Sequence, residues 1–172
     1  DGRAIYPTPV IGMVGLLEQA ERVTTRTFQS AGDAVVLFGA SHGELGGSEY
    51  LQAMHGLVCG VPPRLDLAAE RALQVLIVDL ITDGQVRSAH DCADGGLAVA
   101  LAECCFGALG GGVTVTVPCV PVSARAEVAI AATLFGESAS RVVASVRQAD
   151  VAQVLSRAAA AGVPAAVVGE TG

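Results

Sequence analysis

Three short segments of the 172-residue chain combine acidic side chains with glycine or serine, residue types that hold phosphate groups and metal ions in proteins. They read SHGELGGSEY (41–50), HDCADGGL (90–97) and FGESASR (135–141). Carboxylate oxygens are preferred ligands of Mg²⁺. Closely spaced glycines at the start of a helix allow backbone amides to face an anion. The three segments are therefore the candidates for ligand chemistry.

The first segment places Gly46, Gly47 and Ser48 between an apolar run and a predicted helix. The amides of these three residues are candidate contacts for a phosphate, helped by the positive end of the helix dipole. An ordinary strand-to-helix turn with Ser48 as the N-cap fits the same residues. The segment has neither the Walker pattern nor the dinucleotide-binding fingerprint, so both interpretations stay open.

The second segment offers an imidazole and two carboxylates within five residues. Asp91 is the candidate metal ligand, because Mg²⁺ usually takes one or two protein carboxylates together with phosphate oxygens and water. Asp94 is expected to cap the helix that follows, with Gly95 and Gly96 forming the turn into it. A capped helix beside a solvated acid is the alternative interpretation.

The third segment places Glu137 and Ser138 on a turn that enters a strand, with Arg141 on the strand itself. A polar turn at the start of a strand can hold ribose or phosphate oxygens. A hairpin with an internal ion pair between Glu137 and Arg141 explains the same pattern.

Apolar runs and amphipathic segments alternate along the chain and predict the elements that position these motifs. Strands are predicted at 34–39, 113–117, 140–146 and 164–169. Helices are predicted at 49–58, at 67–84 behind an Asp66 cap, from Leu97 to Cys105, at 125–134 and at 150–162. The pattern indicates a mixed α/β (α+β) fold, with helices packed on a mixed β-sheet.

Composition excludes several function classes. The net charge is −7, and all ten basic residues are arginines scattered along the chain. Nucleic-acid binding needs clustered basic residues, so the composition argues against this function. Five cysteines without a CxxC pair are expected to be reduced thiols. The longest apolar run near the middle is too short to span a bilayer and no signal segment is visible, so no membrane partner and a cytoplasmic location are expected.

The motifs GELGGSEY, HDCADGGLAVALAEC and LFGESASRVVASV, preceded by AIYPTPVIGMVGLLE, resemble the phosphoribosylformylglycinamidine synthase family, within the aminoimidazole-ribonucleotide-synthetase-like superfamily. The resemblance covers essentially the whole chain and implies the C-terminal domain of the second of two tandem repeats. Residues 1–30 would be the terminal strand and connector of a preceding ATP-handling domain, and 31–172 the synthetase-like C-terminal domain. The chain would thus be a piece of a longer polypeptide.

The resemblance also implies an activity. The family's enzyme is a ligase that uses ATP and Mg²⁺ to convert formylglycinamide ribonucleotide and glutamine-derived ammonia to formylglycinamidine ribonucleotide in purine biosynthesis. Implied partners are the remaining domains of the polypeptide and, for the short form of the enzyme, a glutaminase subunit and a small bridging subunit.

Site residues follow from the same resemblance. In the substrate-binding repeat, the turn corresponding to FGES reads Glu-Ser-Gln, whereas this chain has Ala139 in place of the Gln and so lacks the amide. This chain would therefore be the half that does not bind substrate, with no catalytic residue of its own. An auxiliary phosphate or nucleotide, such as a structural ADP, would contact Gly46, Gly47, Ser48, Asp91, Glu137 and Ser138, with Asp91 also the metal ligand.

Two other function classes stay open. One is a stand-alone module that binds a nucleotide or phosphosugar. The other is a different enzyme of the superfamily, such as a selenophosphate synthetase, a thiamine-monophosphate kinase or a hydrogenase-maturation protein. The YPTPVIGMVG segment argues against the second class.

Overall fold

The computed structural model describes residues 10–17, 20–107, 111–123 and 125–172. Five strands and five helices lie in these residues, together with 3₁₀ turns at Ala20–Arg22 and Gln148–Asp150. In chain order they are β1 (Ala34–Phe38), α1 (Glu49–His55), α2 (Leu67–Thr82), β2 (Ser88–Asp91), α3 (Gly96–Cys104), β3 (Val113–Val115), α4 (Ala126–Phe135), β4 (Val142–Val146), α5 (Val151–Ala160) and β5 (Ala165–Thr171). Every strand and helix predicted from residue 34 onward is confirmed within a few residues, and β2 is an element that the sequence did not predict.

The strands form one sheet in the order β2-β4-β1-β5-β3, and every neighbouring pair is antiparallel. The α/β class is confirmed, but the expectation of a mixed sheet is wrong for these strands. The helical connections from β1 to β2 and from β4 to β5 each join two parallel strands that are separated by one antiparallel strand, β4 and β1 respectively. The connections from β2 to β3 and from β3 to β4 cross three and two intervening strands.

This topology brings the three motifs to one end of the sheet. β1 and β2 run in the same direction, and the first two motifs follow their C-terminal ends. β4 lies between them, runs the opposite way and begins directly after the third motif. The start of β4 thus lies beside the ends of its two neighbours.

Helices cover both faces of the sheet because side chains alternate along β1 and β4. One face packs against α2 and α5, and its core contains Val36, Phe38, Leu73, Leu76, Leu80, Ala144, Val146, Val154 and Ala158. The other face packs against α3, and its core contains Phe28, Val35, Leu97, Ala100, Leu101, Cys104 and Val143. The buried residues of α2 and of α3 recur at helical spacing and form these two faces.

The segment before β1 packs on the domain. Phe28 is buried, and its backbone N–H donates to the Cys104 carbonyl at 2.9 Å. Ala89 of the edge strand β2 donates to the Thr25 carbonyl at 3.1 Å. The strand expected within residues 1–30 falls partly on residues 1–9, outside the described residues, and 10–17 are in neither strand nor helix. The division at residue 30 stays a prediction.

All five cysteines lie in the described residues and are free thiols. Cys92 and Cys104 are buried, Cys105 is partly buried, and Cys59 and Cys119 are exposed. No helix in the described part of the chain is long and apolar enough to cross a membrane.

Candidate functional site

Glu137 joins the three motifs. Its Oε1 atom accepts hydrogen bonds from the Glu49 amide at 2.9 Å and from the Gly95 amide at 2.8 Å. These amides belong to the first residue of α1 and the N-cap of α3. A carboxylate is favourable here because helix N-termini have unpaired N–H groups and carry a partial positive charge.

The backbone beside Glu137 is fixed from two further directions. The Glu137 amide donates to the Glu44 carbonyl at 2.9 Å, and the buried Ser138 Oγ accepts from the His42 amide at 3.0 Å. Both partners belong to the segment that leads into α1. The first and third motifs therefore form one hydrogen-bonded unit.

Arg141 binds the backbone of the same turn through its guanidinium group. It is only 3% exposed and donates to the carbonyls of Gly136 and Ser138, at 2.6 and 2.9 Å, and to Ser41 Oγ at 3.2 Å. Burial lowers the pKa of its guanidinium. The alternative of an ion pair between Glu137 and Arg141 is wrong, because each of these side chains binds other groups.

In the first motif, the structure uses most polar groups for the turn itself. Ser48 is the N-cap of α1: its Oγ accepts from the Leu51 amide and donates to the Leu45 carbonyl. The Gly47 amide donates to the Cys59 carbonyl at 2.8 Å. A side chain at Gly46 would overlap the backbone of Val61. The interpretation of Ser48 as an N-cap is confirmed, and the Gly47 amide is occupied within the chain.

The second motif departs from prediction at the helix start. Asp94 is exposed and does not cap α3, whose N-cap is Gly95 in the left-handed region at φ 76° without a side-chain cap. The prediction for Asp94 is wrong because Glu137, distant in sequence, supplies the carboxylate that a local residue would otherwise provide. A Cβ on Gly96 would lie 2.5 Å from the Gly136 carbonyl oxygen, so only glycine allows this approach of the second and third motifs.

Asp91 lies at the end of β2 with a side chain that is 72% exposed. Its Oδ1 atom is 3.2 Å from His90 Nδ1, and His90 Nε2 is 2.6 Å from Glu103 Oε2. Within the described residues, no group of three or more His, Cys, Asp or Glu side chains is arranged to hold a metal. Asp91 supplies only one carboxylate, so these residues alone do not fit a Mg²⁺ centre. Asp91 as a ligand stays a prediction that requires further donors.

A cavity of about 510 Å³ lies between α2, the end of β2 and the third motif. Its size falls within the usual range of small-molecule sites. Burial raises the pKa of the Cys92 thiol in its wall to about 11, so this thiol is neutral near pH 7. Arg141 is the only cation among the described lining residues, which include Leu73, Ile77, Val78, Asp91, Glu137 and Ala139.

The whole arrangement corresponds to a known family. The family model described as AIR synthase related protein, C-terminal domain, matches residues 30–172. The chain belongs to this family.

Relatives of this AIR synthase-related domain include a subunit of a synthase. The chain is 45% identical over 181 residues to phosphoribosylformylglycinamidine synthase subunit PurL of Anaeromyxobacter sp. (strain Fw109-5), and the match covers 100% of the chain and 23% of that protein. The chain thus spans about a quarter of the length of the curated relatives it matches.

Solved structures show the same fold. The Thermotoga maritima PurL complexed with FGAR matches with a TM-score of 0.69 and 23% identity, over 88% of this chain and 26% of that one. The T. maritima PurL complexed with ATP matches with a TM-score of 0.65 and 22% identity, over 88% and 23%.

Sequence reasoning missed two functions of side chains at this site. It assigned Glu137 to a ligand, whereas one of its oxygens binds two backbone amides of the chain. It placed Arg141 on the strand as a possible ion-pair partner, whereas this residue is buried on carbonyl groups. The only sequence signal was that a lone arginine stood directly before a buried apolar strand.

Proposed function

We propose that the chain is a domain of a PurL-type phosphoribosylformylglycinamidine synthase. The enzyme converts formylglycinamide ribonucleotide, ATP and glutamine-derived ammonia to formylglycinamidine ribonucleotide. The observation that supports this most directly is the similarity to PurL over the full chain. Nucleotide use is supported by the T. maritima PurL structure complexed with ATP.

Within this enzyme, the chain has a supporting role. Most polar groups of its three motifs bind one another, and the described residues of the cavity offer the carboxylates of Asp91 and Glu137 but no cation free to bind a phosphate. We expect the isolated chain to be inactive. The enzyme uses Mg²⁺ and ATP, works in the cytoplasm, and depends on the remaining domains of the polypeptide. In the short form it also depends on a glutaminase subunit and a small bridging subunit.

The auxiliary site is the cavity beside Ala139. Asp91 Oδ2 and Glu137 Oε2 make no hydrogen bond within the described residues, so both can accept one from a ligand. Both are acceptors, which suits ribose hydroxyls and opposes phosphate. The phosphates of a structural ADP are therefore held by groups outside the described residues.

Phosphate release is the first test. ATP-dependent phosphate release is measured with formylglycinamide ribonucleotide and ammonium, on the full polypeptide and on this chain alone. Activity in the full polypeptide only is the expected result. Turnover by the chain alone would contradict the supporting role, and inactivity of both would favour a stand-alone binding module.

The auxiliary site has its own test in the full polypeptide, by titration with Mg-ADP. Ala139→Gln adds a side chain at the cavity wall and is expected to weaken ADP binding at least tenfold. Ala68→Gln, at an exposed position of α2 away from this cavity, is the matched control. Equal affinities of the two variants would place the nucleotide elsewhere.

A further inference from the structure

An uncharged, apolar segment borders the first motif. Residues 51–63 read LQAMHGLVCGVPP and contain no Asp, Glu, Lys or Arg, although such residues make up 16% of the chain. Val58 and Val61 are 80% and 83% exposed, and Met54 and Leu57 are also exposed. We call this region the 51–63 surface. Depletion of charge with exposure of large apolar side chains is the composition of an interface centre.

The backbone of the 51–63 surface is fixed. The Cys59 carbonyl accepts from the Gly47 amide at 2.8 Å, and just beyond the surface the Arg64 amide donates to Glu44 Oε1 at 2.9 Å. A Cβ on Gly60 would lie 2.8 Å from Gly46 Cα, and a Cβ on Gly46 would overlap the Val61 backbone, so neither position has room for a side chain. The apolar side chains are thus held outward by a backbone that is joined to the candidate site.

We propose that the 51–63 surface docks another domain of the same polypeptide, one that presents an uncharged apolar face beside the candidate site. This inference rests on the proposed function. The chain spans only 23% of its relative's length, so most of such a polypeptide is available to cover it. The cavity of the candidate site lacks free hydrogen-bond donors of positive charge among its described residues. Its only described cation, Arg141, already donates to carbonyl groups and to Ser41. A domain seated on this surface is placed to supply the missing donors.

Two other occupants fit less well. A membrane surface favours amphipathic helices with Lys or Arg beside large aromatic residues, and the 51–63 surface has none of these. A second copy docked through the same 51–63 surface would bury apolar area but would bring no Lys or Arg of that surface to the cavity. Both copies would remain incomplete.

The labelling rate of Cys59 shows whether the 51–63 surface is covered. Cys59 is exposed, and it is the only cysteine in the tryptic peptide 27–64, because the chain has no lysine and cleaves only at arginine. The native chain and the native full polypeptide are treated with N-ethylmaleimide, then denatured and digested, and the modified fraction of this peptide is followed by mass spectrometry. Peptide 88–125 contains four cysteines, of which the buried Cys92 and Cys104 stay unmodified as long as the fold is intact. Fragment-ion spectra distinguish these two from the partly buried Cys105 and the exposed Cys119.

We expect Cys59 to react at least tenfold more slowly in the full polypeptide than in the chain alone. Val58→Glu should restore fast labelling in the full polypeptide while leaving the melting temperature of the chain alone unchanged. Equal rates in the two proteins would overturn the inference. Protection in the chain alone that grows with concentration would overturn it in favour of a second copy. Phosphate release measured on the same full polypeptide separates failure of this inference from failure of the proposed function.

Discussion

Replacing Glu137 with alanine removes the carboxylate that bridges the starts of α1 and α3. Its Oε1 atom accepts two backbone amides, from Glu49 and Gly95, at 2.9 and 2.8 Å. Neither amide has another partner within its own helix, because the first N–H groups of a helix point out of its end. Glu137→Ala therefore leaves two donors unpaired and removes the link that the Glu137 side chain makes from the third motif to the other two.

The magnitude follows from the surroundings of the two amides. The bond to Gly95 is partly buried, so its loss costs about 1.5–3 kcal/mol, as for other hydrogen bonds to charged groups. The bond to Glu49 is exposed and water replaces the carboxylate, which reduces its contribution to about 0.5–1 kcal/mol. The sum of about 2–4 kcal/mol corresponds to a fall in melting temperature of about 5–15 °C for a domain of this size. Glu137→Gln keeps a neutral acceptor and should lose about half as much.

Thermal unfolding of the chain, followed by circular dichroism, checks this expectation. Glu170→Ala is the control, because Glu170 is exposed and its carboxylate has no partner in the described residues. Sodium formate should raise the melting temperature of Glu137→Ala more than sodium chloride does, since formate can occupy the vacated position between the two amides. The reasoning is refuted if Glu137→Ala melts within about 1 °C of the wild type. It is also refuted if formate raises the melting temperatures of Glu137→Ala, Glu137→Gln and Glu170→Ala equally.

Three further perturbations test other parts of the structure. Gly46→Ala should lower the free energy of unfolding by about 2 kcal/mol or more, because its Cβ would overlap the Val61 backbone, whereas Gly111→Ala, with open space around it, should be neutral in urea unfolding. Phe28→Ala should cost about 3 kcal/mol in the same assay, and a chain beginning at residue 31 should be destabilised at least as much. Burial raises the pKa of Cys92 from 9.0 to about 11, so the unfolded chain loses this proton first and stability should fall by about 2 kcal/mol as pH rises from 9 to 11. Cys92→Ala should reduce that dependence, and the part that remains is expected from Cys104, whose pKa burial raises to about 12. An unchanged slope would show that the Cys92 thiol does not contribute.

Most helices and strands were predicted because the residues that specify them, such as helix caps and apolar periods, are close together in the sequence. Asp66 caps α2 with bonds to the Ala68 and Ala69 amides, which lower its pKa, and the apolar period of α2 matches its buried face. The four residues of β2 carried no such signal. SAHD contains three polar residues, and these are tolerated because β2 is an edge strand that pairs only with β4 inside the sheet.

The features that the sequence did not predict at the site depend on contacts between distant residues. Glu137 lies 42 residues from Gly95 and 88 residues from Glu49, whose amides donate to its carboxylate. Burial of Arg141 becomes acceptable only because the turn at 136–138 folds back and presents two carbonyls. The spacing of residues within one segment does not predict these contacts. They depend on the topology, which places the ends of β1 and β2 beside the start of β4.

The same contacts limit what the candidate site can bind. A phosphate needs donors, yet Glu137 occupies the amides of Glu49 and Gly95, and the Gly47 amide is bonded to Cys59. Arg141 is committed as well, so the described residues facing the cavity offer acceptors. A nucleotide in this cavity would therefore turn its hydroxyl groups toward this chain and its phosphates toward the neighbouring domain. Under this arrangement, weakening the contact at the 51–63 surface should reduce ADP affinity in the full polypeptide even though no residue of that surface touches the nucleotide.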